Sequence, residues 1–323
     1  MSTPQDFLKK VKEYYRFIPE LAVVTECSDE FTRLTKGEAD SFEGELHEIA
    51  KNYSIENDDI ILNLVKDVFP ILNIEEKKKL KNVAFGKIIN TTVNALCIKS
   101  NDGFNNYCIV LNQGLLMLFH KHAKLTYAAA DPNAVIFCNR GDHTKINSST
   151  YKKWSNELIG NYKRYNTPIG TIIKLSKRAG SNHSINISVQ ELFILCHELG
   201  HFYNCDLEDN FAIANLINTT WSVVDDNKDH EIEYKADLTG FDLLVKAVKL
   251  KFNLGKKYCL LQVAVVFDIL AMINPNESNN HPAPIDRICN IIQYFFGESF
   301  VEPYLKTYSE DYTFLDFFNS LED

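Results

Sequence analysis

"LFILCHELGHFY" (192–203) sets two histidines four residues apart, with a glutamate directly after the first, inside an otherwise apolar run. Residues four apart stack on one face of an α-helix, so His197 and His201 can both reach one metal ion. Glu198 lies one position on, close enough to hold a water at that ion and take its proton. Three ionisable groups in so apolar a helix are costly unless a metal or fixed partners compensate them. Cys196 faces about 100° away around the helix and reads as core packing. Just upstream, "SVQE" (188–191) has the pattern of a capping box, with Ser188 as N-cap and Glu191 three residues on. The helix is therefore expected to begin there and to end near "NCD" (204–206).

A catalytic zinc usually takes three protein ligands and leaves its remaining position to water. The tenth residue after His197 is Leu207, so no third histidine follows at short spacing and the third ligand has to come from a later element. "EIEYKADLTGFDLLVKAV" (231–248) reads as a second helix with apolar Phe241, Leu244, Val245 and Val248. Glu233 and Asp237 share one of its faces, and Ala236 and Gly240 are small enough to let another helix come close. Glu233 can bind the ion while Asp237 accepts a hydrogen bond from the outer nitrogen of a ligand histidine, fixing its tautomer. Glu231 competes for the ligand role, but its partner one turn on is Lys235; His230 is a further possible ligand.

The rest of the 323 residues supports a folded chain, with 45% hydrophobic and 24% charged residues. A net charge of −9 argues against a nucleic-acid partner, and the basic "EEKKKLKN" (75–82) reads as a solvated helix end. The first residues show no apolar core of signal-peptide length, and "YCLLQVAVVFDILAMI" (258–273) is too short and too polar for a membrane span, so a buried helix is expected. Eight cysteines without a CxxC pair suit a reducing compartment, and the chain is expected to be cytoplasmic. No pairing of cysteine with histidine in the sequence supports a cysteine nucleophile.

Along the chain, residues 1–80 read as a helical N-terminal region, with apolar spacings of three and four in "PQDFLKKVKEYYRFI" and "NDDIILNLVKDVFPIL". From 82 to 176 come strand-like runs, "VAFGKII", "TVNALCI", "NYCIVLN", "NAVIFCN" and "GTIIKLS", separated by turn residues; beyond 187 the pattern is helical again. The expectation is an α+β fold, with a helical region over 1–80 and a catalytic domain over 81–323.

"HELGH" (197–201) followed by "EYKAD" (233–237) resembles the gluzincin clan of metallopeptidases. "HPAPIDRI" (281–288), "NALCI" (94–98) and "IVLNQGLLMLF" (109–119) look like elements of the HtpX and CAAX-prenyl-protease family within it. The resemblance implies a zincin-like domain with a small antiparallel or mixed sheet and a Zn2+ ion held by His197, His201 and Glu233. It implies Glu198 as general base and Asp237 as support for a histidine ligand. His281 and Arg287 would lie near the site, stabilising the oxyanion or holding the glutamate helix, and the strand around 107–112 would be the edge that receives an extended peptide. The sequence departs from that family in having no evident membrane span. It also carries an insert at about 120–185, a lid or substrate-selecting subdomain in this reading. Soluble peptidases of the Lit-like and ImmA/IrrE-like groups share the HELGH and later Glu pattern. The expected function is a zinc-dependent endopeptidase acting on an intracellular protein or peptide. A zinc-stabilised binding or regulatory module without proteolytic activity is the alternative.

Overall fold

The computed structural model describes residues 3–16, 58–100, 105–140, 146–207, 226–277, 281–308 and 314–321, and its elements are numbered here over those residues. The expected helical character of 17–57, and the segment 221–225 between the two helices expected to carry metal ligands, lie outside them. The fold is α+β and mostly helical, with two small sheets and helices at its N-terminal end.

Helix α1 (Pro4–Tyr15) opens on a capping box between Thr3 and Asp6. After α2 (Asp59–Val68) and the short, exposed α3 (Ile74–Lys79) the chain enters β1 (Val83–Ile88), β2 (Ala95–Lys99) and β3 (Tyr107–Asn112). β1 runs parallel to β3 from Val83 opposite Tyr107 to Ile88 opposite Asn112, and β2 runs antiparallel on the other side, with Ala95 opposite Leu111. The strand at 107–112 is therefore central, not the edge expected for it; the edge beside the HELGH helix is β2. The reason lies in its two faces. Cys108 and Val110 pack with Leu8 and Val11 of α1, while Tyr107, Ile109 and Leu111 enter the main core. A strand apolar on both faces belongs inside a covered sheet.

The insert region contains the end of α4 (Gln113–Ala130), then β4 (Val135–Cys138), α5 (Ser148–Tyr165) and β5 (Ile173–Leu175). β4 and β5 pair antiparallel, α5 packs on α4, and β5 rests on α4 and the next helix.

That helix, α6, spans Lys177–Tyr203, so its first residue lies three turns before the expected start at Ser188. Its cap is Ser176, whose hydroxyl accepts from the Ala179 amide. In the polar run after it Ser181 and Ser184 donate their hydroxyls to the carbonyls of Lys177 and Gly180, one turn back, instead of capping a new helix. α7 (Asp226–Phe252) is also longer than the helix expected over 231–248 and begins five residues earlier. α6 and α7 cross at two glycines. A Cβ on Gly200 would stand 2.6 Å from the Ala236 carbonyl oxygen, and one on Gly240 would stand 2.8 Å from the His197 amide. α8 (Lys256–Ile273), α9 (Pro284–Phe296), α10 (Val301–Lys306) and α11 (Phe314–Ser320) complete the fold. Cys196 is fully buried, and the core of α8 packs against α6, with Phe193 edge-on to Phe267. Among the described residues no helix is long and apolar enough to cross a membrane.

Candidate metal centre

The glycine crossing sets the C-terminal half of α6 directly against the start of α7, and with it His197 and His201 against Glu233. Their Nε2 atoms face one another at 3.1 Å. His197 Nε2 stands 3.5 Å from Glu233 Oε2, and His201 Nε2 stands 3.4 Å from Glu233 Oε1. Ligand atoms 2.0–2.1 Å from one tetrahedral zinc are about 3.4 Å apart, so these spacings fit one ion. Glu233 Oε2 is buried and meets no donor in hydrogen-bonding geometry, although Arg287 pairs with it at 3.1 Å. The three residues form a group that could hold a metal ion, the one such group among the described residues.

The outer nitrogens are committed elsewhere. His197 Nδ1 lies 2.9 Å from Asp237 Oδ1, and His201 Nδ1 lies 2.9 Å from Asp206 Oδ2. A carboxylate on each Nδ1 holds a proton at that nitrogen and leaves Nε2 as the nitrogen turned toward the centre of the group. Asp237 is fully buried and accepts two hydrogen bonds from Arg287, from Nε and from Nη2, each 2.7 Å. Arg287 Nη2 also stands 3.1 Å from Glu233 Oε2 as an ion pair, and the guanidinium lies over the Phe267 ring at 5.1 Å. One buried arginine from α9 thus holds both Glu233 and Asp237 of α7. His281 is exposed, with Nδ1 3.3 Å from Glu233 Oε2.

These contacts set the proton affinities. Burial pushes the Glu233 carboxyl up, but Arg287 and the surrounding histidines outweigh it and hold the group well below the usual carboxylate range. Asp237 is held down in the same way by Arg287 and His197 against its burial. Glu198 goes the other way: burial raises its pKa, His197 and His201 only partly oppose this, and Glu233 adds to it. Burial pushes His201 down, yet the hydrogen bonds to Asp206 and Glu233 prevail and lift it to about 10.

Of the residues singled out from sequence, His197, Glu198, His201, Glu233, Asp237, His281 and Arg287 all come together here. Glu231 is exposed and paired with Lys235 at 2.7 Å, and His230 is not in the metal-type group. Asp206 was not read from sequence. Its one signal is an aspartate just past the end of the helix, five residues after His201.

Residues 180–300 match the family model of Peptidase U49, a span running from α6 through α9 that contains every residue of this centre. No curated protein and no solved structure matches the chain. The family match supports a peptidase.

Proposed function

We propose that the chain is a zinc-dependent endopeptidase that hydrolyses peptide bonds in a protein substrate. The observation that carries this reading is the mutual spacing of His197 Nε2, His201 Nε2 and the Glu233 carboxylate, 3.1–3.5 Å, beside a buried Glu198. His197, His201 and Glu233 would hold the ion. Zinc, when bound, supplies Lewis acidity and lowers the pKa of water at its open position. Glu198 is the general base: its raised proton affinity suits it to take the proton of the attacking water and to deliver it to the leaving amine. A purely structural zinc has no need of such a base and tends to be closed by four protein ligands.

In this reading Arg287 is a clamp rather than an oxyanion donor, since Asp237 and Glu233 already occupy it. His281, exposed beside Glu233, is the group placed to reach a substrate carbonyl oxygen. An extended peptide would add to β2, the edge strand that packs against α6. Burial first, and then the nearby Glu198, push the Cys97 thiol of that strand up, which sets the strand near the general base.

The test compares wild-type chain with Glu198→Gln in a survey of new protein N-termini, together with the zinc content of both. The expected result is equal zinc and one or a few cleavages made only by wild type, with rate lost by roughly 10²–10⁴-fold in the variant. A Glu198→Gln chain that cleaves at near wild-type rate removes Glu198 from the chemistry. A folded, zinc-loaded wild type that cleaves nothing and captures the same partner as the variant makes this a binding module instead.

A further inference from the structure

The turn that ends α6 is built around His201. The Asp206 amide donates to the His201 carbonyl at 3.1 Å, and Asp206 Oδ2 lies 2.9 Å from His201 Nδ1. Both side chains are largely enclosed, 13% exposed for His201 and 11% for Asp206. Between helix and aspartate, Cys205 adopts a left-handed backbone conformation with φ of 62°, which costs a non-glycine residue steric strain. Asn204, just before it, accepts a hydrogen bond through Oδ1 from Thr239 Oγ1 of α7, 3.3 Å away. The turn is thereby anchored to the helix that carries Glu233, and it folds back far enough to bring a carboxylate onto a ring it would otherwise pass.

We propose that Asp206 is a positioning residue for the metal centre. It holds the His201 ring in the Nδ1–H tautomer with Nε2 turned toward His197 Nε2 and Glu233, as Asp237 does for His197. The inference rests on the zinc reading above. The two carboxylates are not equivalent. Asp237 divides its charge between His197 and Arg287, whereas among the described residues Asp206 forms no ion pair other than the one with His201. The one close ion pair of the Asp206 carboxylate among the described residues is thus with a single imidazole, so its loss would reach a bound ion chiefly through His201.

Zinc affinity measured by competition with a chromogenic chelator tests this on wild type, Asp206→Asn, Asp206→Glu and, as control, Asp242→Asn. Asp242 is a half-exposed residue of α7 whose carboxylate pairs with Lys246. Asp206→Asn is expected to bind zinc roughly 10–100-fold more weakly, Asp206→Glu to recover part of that loss, and Asp242→Asn to match wild type. The visible absorption band of the cobalt-substituted protein is expected to move in Asp206→Asn and to stay in place in Asp242→Asn. Wild-type affinity and an unmoved band in a folded Asp206→Asn overturn the proposal while leaving the zinc site standing. If Asp206→Asn does not fold, the band of Asp206→Glu decides: moved from wild type it supports the assignment, unmoved it overturns it. A wild-type chain that takes up no zinc overturns both readings together.

Discussion

His183 and Glu191 lie in the first half of α6 with His120 of α4 between them; His197 and His201 lie in the second half with Glu233 of α7 opposite. The residue types are the same, two histidines and a glutamate, and the outcomes differ. In the first half His120 divides its ring, with Nδ1 3.2 Å from His183 Nε2 and Nε2 3.4 Å from Glu191 Oε1. Because two different nitrogens are used, the ligand atoms do not converge on one point. His183 Nδ1 is buried with no hydrogen-bond partner, and burial, with His120 and Lys124 nearby, pushes its pKa down to about 3. In the second half carboxylates sit on both Nδ1 atoms, both Nε2 atoms converge, and His201 is lifted to about 10. Histidines on one helix thus become a neutral packing group or a metal-type ligand according to what meets their outer nitrogen.

The sharpest way to break this contrast is to remove the cation that balances the second half. Arg287→Met leaves Asp237 and Glu233 buried without it, and unfolding in urea should show a loss of about 3–5 kcal/mol, the usual cost of stranding one side of a buried ion pair. A loss below ~1 kcal/mol would mean that the two carboxylates do not depend on Arg287.

A smaller effect, a few kcal/mol at most, should appear in the pH dependence of the zinc-free chain. His201 has its folded pKa raised to about 10 from an ordinary 6.5. Its protonated form therefore contributes stability that is fully present below pH 6.5 and is lost as pH rises toward 10. Zinc requires neutral imidazole, so the loaded chain should not share that fall, and zinc uptake at pH 7 should release protons. Thermal unfolding with and without zinc between pH 6 and 10 checks the first point, and calorimetry in buffers of different ionisation enthalpy checks the second. Parallel stability curves for the two forms would contradict the proton affinity read from the Asp206 and Glu233 contacts.

The smallest change belongs to the first half. His183→Leu exchanges a buried neutral ring with an unpartnered nitrogen for an apolar side chain, and should alter stability at pH 7 by no more than about 1 kcal/mol. The sign with pH is opposite to that of His201. A depressed folded pKa costs stability as pH falls from 6.5 toward 3, so the variant should unfold less readily in acid than wild type. A variant that loses zinc affinity would show that the first half serves the metal centre as well.

Much of this was legible because the signals were local. All five strand-like runs form strands, since alternation and turn residues act over a few positions. The buried helix over 258–273 was equally plain from its continuous apolar run. The start of α6 was not, because "SVQE" carries a capping pattern whose meaning depends on whether the residues before it are already helical. The identity of the sheet edge was not legible either: strand order follows from which faces find partners, and α1, the helix that covers Cys108 and Val110, lies about a hundred residues away in sequence.

By itself the sequence determined that His197 and His201 share a face with Glu198 beside them, because helical periodicity depends on nearest turns alone. It also narrowed the candidates for a third ligand to Glu233, Glu231 and His230. Tertiary structure decided that Glu233 rather than Glu231 or His230 meets the pair, through the approach of α7 at Gly200 and Gly240. It decided that Arg287 reaches Asp237 across 50 positions and His197 across 90, and that Asp206 turns back onto His201. The physical reason is that a buried charge is tolerable only against its partner, and such partners are assembled by packing between helices distant in sequence.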